Sequence, residues 1–329
     1  MTFTDALDRT AADHGPGLLG LITEGGRTVF EGATGVADLG SRRRMTADDL
    51  VRIGSITKTY VSVLAMQLAA EGAFAFGDTV EHWLPGLVDG GDQITMELLL
   101  RMRSGLPDYG DGPFGDERDL EPLRRYWRPE ELVAAALAKD DRKPPDSVYR
   151  YCNTDYILLG LIIERATGER VDVHLHQRIC VPLGLTATIF PIADPHLRGP
   201  HARGHLRVRG EWVECTTLSM SEGWTAGGMA ASARDVALFF DALFDGRLLA
   251  ADGLAHMTDC SEVLDDEWSR GVGLVRFRDA YGHTGGIPGY TTIAWRTATG
   301  RTIILCQNGI DLNNMLTSEN PFVLEALRG

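Results

Sequence analysis

A serine and a lysine one helical turn apart are the first residues whose types and spacing suggest chemistry. They are Ser55 and Lys58, in Ser-Ile-Thr-Lys at the start of a strongly apolar stretch, and residues three apart on a helix share a face. A neutral lysine amine can take the proton of a serine hydroxyl if burial or positive potential lowers the pKa of the amine. The spacing also arises by chance, but its position predicts a serine nucleophile with Lys58 as part of its activating base.

The stretch 55–71 predicts a helix that is apolar on most of its surface and therefore buried. Ser55 directly follows Gly54, at the expected N-cap position. Burial would desolvate Lys58, and the N-terminus of the helix would add positive potential. The same helix end would offer the Ser55 backbone N–H as an oxyanion donor.

Lysine is scarce in this chain, which makes Lys58 stand out. Of 32 basic residues only three are lysines, namely Lys58, Lys139 and Lys143. Arginine does not lose its proton in proteins, so a position that keeps lysine in an arginine-rich chain is a candidate base. Lys139 and Lys143 lie in a charged stretch typical of a loop, whereas Lys58 lies in uncharged sequence.

A second group of candidates is Tyr151-Cys152-Asn153, just before a predicted helix over 154–167. A tyrosine phenol beside a cation can move a proton, and an asparagine can hold both a substrate amide and a lysine amine. A buried tyrosine followed by a helix-capping asparagine is the alternative interpretation. Alternate residues of an extended segment point in opposite directions, so Cys152 is expected to face the core and not to be the nucleophile.

A third group lies in the glycine-rich run 281–290, which contains His283, Thr284, Gly285 and Gly286. Glycine lets a backbone come close to a ligand, and free N–H groups on an edge strand could bind an acyl oxygen. His283 could stabilise charge or pass a proton. A hairpin turn carrying a surface histidine is the alternative interpretation.

Two further segments have two interpretations each. Trp224, in a run rich in glycine, either lines a pocket or belongs to the core. Asp108 and Tyr109 lie in a loop over 104–120 that is rich in Gly, Pro and Asp, and they either border a cleft or form a turn.

The predicted elements place strands at both ends of the chain and helices in the middle. Hairpins are predicted over 16–38 and 205–214, and strands over 272–278, 289–296 and 301–308. Helices are predicted over 2–14, 95–103, 129–139, 154–167, 171–180, 232–245 and 317–328. We therefore expect one α/β domain built from both ends of the chain, residues 1–75 and 205–329, with a mainly helical insertion over 76–204.

Composition excludes several classes of protein. The net charge of −14 disfavours binding to nucleic acid. Five widely spaced cysteines predict neither a disulfide framework nor a metal site, and no cofactor is predicted. The N-terminus lacks the pattern of a signal peptide and no segment is apolar enough to span a membrane, so the expected location is the cytoplasm.

The three motifs, in this order, resemble those of the serine β-lactamase-like group, which includes DD-peptidases, class C β-lactamases and related esterases and amidases. Ser55–Lys58 matches its Ser-x-x-Lys motif, Tyr151–Asn153 its Tyr-[Ser/Ala]-Asn motif, and His283–Gly285 its [Lys/His]-Thr-Gly motif. The resemblance covers residues 15–310. It implies an antiparallel sheet flanked by helices, together with a mainly helical domain, and an active site in the cleft between the two domains.

The resemblance also implies roles for these residues. Ser55 would form an acyl-enzyme, Lys58 and Tyr151 would share general acid and base duty, and the N–H groups of Ser55 and Gly286 would form the oxyanion hole. Cys152 replaces the usual small residue, and His283 replaces lysine, which puts efficient β-lactam hydrolysis in doubt.

The predicted function is acyl transfer from a small ester, amide or peptide-like substrate to water or to an amine acceptor. A DD-peptidase, a penicillin-binding protein or a weak β-lactamase is the alternative. From a different class, the alternative is a non-catalytic protein that senses or binds penicillin.

Overall fold

The structure is a computed structural model that describes residues 1–12, 14–110, 120–311 and 316–328. Residues 111–119 of the loop predicted over 104–120 therefore lie outside the described residues.

Within these ranges the largest unit is an antiparallel sheet of eight strands in the order β2-β1-β13-β12-β11-β10-β9-β8. Two small sheets, β3-β7-β4 and β5-β6 with β14, lie beside it. The strands are β1 (Gly17–Glu24), β2 (Arg27–Gly35), β3 (Leu50–Arg52), β4 (Thr188–Ile189), β5 (His205–Val208), β6 (Glu211–Glu214), β7 (Ala230–Ser232), β8 (Glu262–Val263), β9 (Trp268–Arg270), β10 (Val275–Phe277), β11 (Ala280–Ile287), β12 (Tyr290–Thr297), β13 (Arg301–Gln307) and β14 (Gly309–Ile310).

The helices occupy most of the middle of the chain. They are α1 (Phe3–Ala11), α2 (Thr57–Ala70), α3 (Val80–Trp83), α4 (Met96–Leu100), α5 (Pro129–Leu137), α6 (Asn153–Thr167), α7 (Val171–Leu175) with a π-helical continuation (His176–Cys180), α8 (Val181–Leu183), α9 (Trp224–Gly227), α10 (Ala233–Phe244), α11 (Ala251–Thr258) and α12 (Pro321–Arg328). Short 3-10 turns cover Gly54–Ile56, Gly91–Gln93 and Glu121–Arg124.

The main sheet is buried on both faces because its central strands carry apolar residues at both odd and even positions. In β1, Leu18 and Ile22 pack on the face covered by α1 and α12, whereas Leu19 and Leu21 belong to the larger core on the opposite face. Gly20 leaves room for the ring of Phe322 from α12. Strand alternation thus divides the core into two layers, and the larger layer contains α2.

Helix α2 is buried almost throughout, as its composition predicts, but it begins later than expected. Its N-cap is Ile56, and the preceding 3-10 turn Gly54–Ile56 contains Ser55. The prediction that Ser55 is the N-cap residue is therefore wrong by one position. Because Ser55 precedes the cap, its hydroxyl is not used to cap the helix and can face Lys58 one turn on.

Strand β11 was not predicted as a strand. It pairs with β12 along its whole length, but with β10 only through Ala280–Gly282. The segment 283–287 therefore has a strand on one side only, in the described part of the chain. Instead it approaches the 3-10 turn that carries Ser55, which gives it the edge character that the glycine-rich run suggested.

The described helices include none that is both long enough and apolar enough to cross a lipid bilayer.

Candidate active site

Three side chains from distant parts of the sequence meet at the start of α2. The Lys58 Nζ lies 3.0 Å from the Ser55 Oγ, and the Tyr151 hydroxyl donates to the same Oγ at 2.6 Å. Ser55 is held by its 3-10 turn, Lys58 by the first turn of α2, and Tyr151 by the extended segment before α6. The structure therefore brings the side chains of Ser55, Lys58 and Tyr151 together.

Lys58 is fully buried and touches only oxygen atoms with its amine. Besides Ser55 Oγ, its Nζ donates to Asn153 Oδ1 at 2.8 Å and to the Ala226 carbonyl at 2.6 Å. Burial lowers the pKa of Lys58 to about 7, the charge of Asp108 opposes this fall, and the charge of Arg270 adds to it. The amine can therefore be neutral near physiological pH.

The opposite effect acts on Tyr151. Burial raises the pKa of its phenol well above the usual value, although the hydrogen bond to Ser55 and the charge of Arg270 lower it. Tyr151 therefore keeps its proton over the range in which Lys58 titrates. Its phenol can donate a proton, and it is poorly suited to be the initial base.

Cys152 lies where alternation predicts it, in the core and away from the cavity. Its side chain is buried, and burial raises the pKa of its thiol well above the usual value. A neutral buried thiol is a poor nucleophile.

Segment 283–287 comes so close to the serine turn that side chains cannot fit between them. A Cβ on Gly285 would lie 1.9 Å from the Ile53 carbonyl oxygen, and one on Gly54, whose φ is +51°, would lie 2.9 Å from Gly286 N. Thr284 and the exposed Gly286 line the same cavity as Ser55. The glycines are required because two backbone segments meet here.

Of the two roles suggested for His283, charge stabilisation is disfavoured by its surroundings. Its ring is buried, and its Nδ1 lies 2.6 Å from the Thr284 carbonyl, which makes Nδ1 the protonated nitrogen. Burial lowers the pKa of His283 to about 3, with further lowering by the charges of Arg270 and Lys58. The imidazole is therefore neutral at physiological pH, which favours a role for His283 as a proton link over charge stabilisation.

Trp224 also differs from its predicted position in the pocket. It is buried in the core, where its ring lies against Gly160, and the cavity is lined instead by its neighbours Glu222, Gly223 and Ala226. The alternative interpretation, a core tryptophan, describes it better.

Arg270 is the site residue that sequence reasoning missed. It lies at the end of β9, lines the cavity, and its guanidinium carbon lies 5.8 Å from the centre of the Tyr151 ring. Its Nε is buried without a hydrogen-bond partner among the described residues. Arg270 supplies the positive charge that His283 does not, but one arginine among many gives no signal in the sequence.

The cavity that contains Ser55 has a volume of about 490 Å³. Tyr109, Tyr151, Asn153, Ile287 and Pro288 also contribute to its wall. A wider groove of about 930 Å³ lies at the other end of α2 and is lined by neither Ser55 nor Lys58. Among the described residues, no cluster of three or more His, Cys, Asp or Glu is arranged to hold a metal ion.

Comparison with known proteins agrees with this fold. A family model described as beta-lactamase matches residues 3–328. The chain belongs to the beta-lactamase family. A curated relative, penicillin-binding protein 4 of Amycolatopsis lactamdurans, is 32% identical over 198 residues, which are 59% of this chain and 49% of that protein. The chain thus spans about half the length of the curated relatives it matches.

Two solved structures match the whole chain. A D-stereospecific amidohydrolase from Streptomyces sp. superimposes with a TM-score of 0.88 at 30% identity, covering 99% of this chain and 97% of the other. The D-amino acid amidase from Ochrobactrum anthropi SV3, in complex with D-phenylalanine, gives a TM-score of 0.88 at 28% identity, covering 99% and 98%. The fold is therefore that of the β-lactamases and penicillin-binding proteins, as the motifs predicted.

Proposed function

We propose that this protein is a serine acyl-transfer enzyme that forms an acyl-enzyme on Ser55 from a small amide, ester or peptide-like substrate. The observation that carries the proposal is the contact of one hydroxyl, Ser55 Oγ, with both the Lys58 amine and the Tyr151 phenol. A nucleophile within hydrogen-bond reach of a base that is itself oriented by other groups is the general arrangement of covalent catalysis.

Lys58 is the base that takes the serine proton. A neutral amine has two N–H bonds and one lone pair. Carbonyl oxygens can only accept, so the two N–H bonds go to Asn153 Oδ1 and the Ala226 carbonyl. The lone pair is left facing Ser55, and a Lys58 pKa of about 7 makes this neutral form available.

Acylation then follows with each proton accounted for. Ser55 Oγ bonds to the substrate carbonyl carbon and gives its proton to Lys58 Nζ. The carbonyl becomes an oxyanion, for which the N–H groups of Ser55 and Gly286 are the proposed donors. When the bond from carbon to the leaving group breaks, Tyr151 gives its proton to the departing nitrogen or oxygen and recovers one from Lys58. Water or an amine then takes the acyl group.

Substrates of D-configuration are the favoured class. Two of the structures that match this chain over nearly their whole length are named as a D-stereospecific amidohydrolase and a D-amino acid amidase. We propose by analogy that this chain hydrolyses amides of D-amino acids.

A second candidate is favoured by Arg270. A guanidinium in the cavity wall, with its Nε unpartnered among the described residues, suits a substrate that carries a carboxylate. This would be a peptide with a free C-terminus, as in carboxypeptidase-type DD-peptidases, or a β-lactam. For either candidate substrate we propose the same two domains, one formed by residues 1–75 and 205–329 and the other by residues 76–204.

The decisive experiment measures the mass of the protein after treatment with a fluorophosphonate and, separately, with a penicillin, using Ser55→Ala as control. We expect a fluorophosphonate adduct on the native chain and none on Ser55→Ala. No adduct with either reagent would favour a non-catalytic binding protein, and an adduct that persists on Ser55→Ala would show that Ser55 is not the nucleophile.

Substrate class is then tested by hydrolysis of D- and L-phenylalanine amide and of D-alanyl-D-alanine peptides. We expect faster hydrolysis of the D-amide than of the L-amide. Preferential cleavage of peptides with a free carboxylate, lost in Arg270→Gln, would establish the second candidate, as would a long-lived penicillin adduct.

A further inference from the structure

Asp108 lies behind Asn153, a residue of the cavity wall, and makes more contacts than a simple turn residue needs. Its Oδ1 accepts from the Gly110 backbone N–H at 2.9 Å, which is the local bond of a turn. Its Oδ2 accepts both from the Asn153 backbone N–H at 3.2 Å and from Asn153 Nδ2 at 2.9 Å. Asp108 is buried, with 6% of the residue exposed. It therefore belongs to a turn and also supports Asn153, which lines the site.

This contact determines which way the Asn153 amide faces. A carboxylate accepts hydrogen bonds and does not donate them, so the NH₂ of Asn153 must point to Asp108. The carbonyl Oδ1 then points to Lys58, where it lies 2.8 Å from Nζ. With the amide reversed, Oδ1 would face a carboxylate and the NH₂ would face the lysine amine.

The orientation of Asn153 in turn determines where the lone pair of Lys58 points. With Oδ1 and the Ala226 carbonyl as acceptors, both N–H bonds of the neutral amine are taken and the lone pair faces Ser55. A reversed Asn153 would donate into that lone pair, and the amine could no longer accept the serine proton.

The segment that carries Asp108 is itself fixed. The Lys139 ammonium donates to the backbone carbonyls of Asp108 and Tyr109, and the Thr154 hydroxyl accepts from the Tyr109 N–H at 3.2 Å. Lys139 therefore stabilises the turn that contains Asp108. Together with Thr154, it holds the backbone that carries the Asp108 carboxylate.

We infer that Asp108 is a positioning residue, which sets the orientation of the Asn153 amide and thereby keeps the lone pair of Lys58 directed at Ser55. The inference rests on the proposed function, because it assumes that Lys58 is the base. It assigns to a loop residue a role that none of the three motifs contains.

A second consequence concerns the charge of Lys58. The titratable or charged groups that face its amine are Asp108, Cys152, Tyr151, Tyr156, Arg270 and His283. Burial keeps Cys152, Tyr151, Tyr156 and His283 neutral near pH 7. Asp108 is the anion that opposes the effect of burial, so its removal should lower the pKa of Lys58 further.

The scarcity of lysine allows a direct test by NMR. In protein labelled with ¹³C at lysine Cε, only Lys58, Lys139 and Lys143 give signals, and Lys58→Arg identifies the signal of the buried amine. We expect Asp108→Asn to move the Lys58 titration to lower pH. The exposed Asp140→Asn is the matched control and should leave it unchanged. An unchanged or higher Lys58 pKa in folded Asp108→Asn would overturn the charge effect.

The positioning role is tested by rates of acylation with the fluorophosphonate. We expect Asp108→Asn to be slower by roughly ten- to hundredfold at pH 8, where Lys58 is neutral in both proteins. In an Asn153→Ala background, the same change should have little further effect, because Asp108 acts through Asn153. Equal effects in both backgrounds would overturn the positioning role.

Two safeguards keep these tests interpretable. If Asp108→Asn does not fold, Asp108→Ser removes the same charge with a smaller side chain, and the same two outcomes apply. If the native chain is never acylated by any reagent, the proposed function fails, whereas the NMR titration still reports on the effect of the Asp108 charge on Lys58.

Discussion

The buried amine of Lys58 makes the proposed reaction depend on pH in a defined direction. The pKa of Lys58 is lowered to about 7, so the neutral base is present above that pH and is lost as the pH falls. We expect the rate of acylation to be ~tenfold lower at pH 6 than at pH 8 and to level off above. The pKa of Tyr151 is raised and that of His283 is lowered to about 3, so neither titrates in this range.

Glu222 is the control for this pH profile. It also lines the cavity, and burial raises the pKa of its carboxyl to about 7. If Lys58 governs the pH profile, the midpoint of the profile should be the same in Glu222→Gln as in the native protein. If the midpoint disappears in Glu222→Gln, Glu222 and not Lys58 governs the profile.

We expect that arginine cannot replace Lys58 as the base in the proposed reaction. The guanidinium does not lose its proton at neutral pH, so it cannot accept the serine proton. We expect Lys58→Arg to acylate about 10²- to 10⁴-fold more slowly than the native protein. Lys143→Arg is the matched control, because Lys143 is exposed and its ion pair with Asp141 tolerates arginine. A native rate in Lys58→Arg would remove Lys58 from the proposed mechanism.

Spacing predicted the meeting of Ser55 and Lys58, and the family resemblance implied that Tyr151 joins them, but neither predicted the charge around them. Whether His283 is charged depends on burial and on its bond to the Thr284 carbonyl, and neither is visible in the order of residues. Arg270 reaches the site only because β9 pairs with β10 so that Arg270 lies opposite Val275. Such a register is a property of the folded sheet.

At the scale of elements, the contact between β11 and the serine turn is the tightest constraint on the site. Gly285→Ala would place a Cβ against the Ile53 carbonyl, and a backbone atom cannot yield as a flexible side chain can. We expect a destabilisation of roughly 1–3 kcal/mol and a marked loss of acylation rate, measured by chemical unfolding and by fluorophosphonate labelling.

The matched control for this variant is Gly77→Ala. An added Cβ at Gly77 would meet no atom within 4 Å, and its backbone is outside the left-handed region. If Gly285→Ala behaves like Gly77→Ala, the close approach does not constrain the site.

Most helices and strands were predictable, and the exceptions have physical reasons. The amphipathic or apolar stretches of α1, α2, α6 and α10 gave clear patterns, with ends displaced by a few residues. Strand β11 was missed because glycines lower its strand propensity, and its pairing with β12 overrides that propensity. The short strands β3, β8 and β9 carry too few residues to show a period.

At the scale of the molecule, the main sheet separates the smaller layer of the core from the proposed site. The ring of Phe322 from α12 is fully buried on the face opposite α2, beside Phe3 and Phe30. We expect Phe322→Ala to reduce the free energy of unfolding by ~3–5 kcal/mol. Because Ser55 and Lys58 lie on the other face, the rate of acylation per folded molecule should change little.

Chemical unfolding measures the free energy of unfolding. Fluorophosphonate labelling at low temperature measures the acylation rate of the folded protein. Tyr126→Ala is the control, since Tyr126 is a largely exposed aromatic residue. A large fall in acylation rate for folded Phe322→Ala would mean that the two faces of the sheet are coupled. The division into a sheet domain and a helical domain with boundaries at 75 and 205 stays a prediction.

The pairing of β1 with β13 has a consequence for synthesis of the chain. Leu18 lies opposite Gln307, so β1 acquires this neighbour only after Gln307, about 290 residues later, has left the ribosome. Until then the N-terminal hairpin has an unpaired apolar edge, which nascent-chain chaperones would have to shield. A ribosome that stalls before β11 would release a product that lacks one wall of the proposed site, so the proposed activity would require translation at least as far as Ile287.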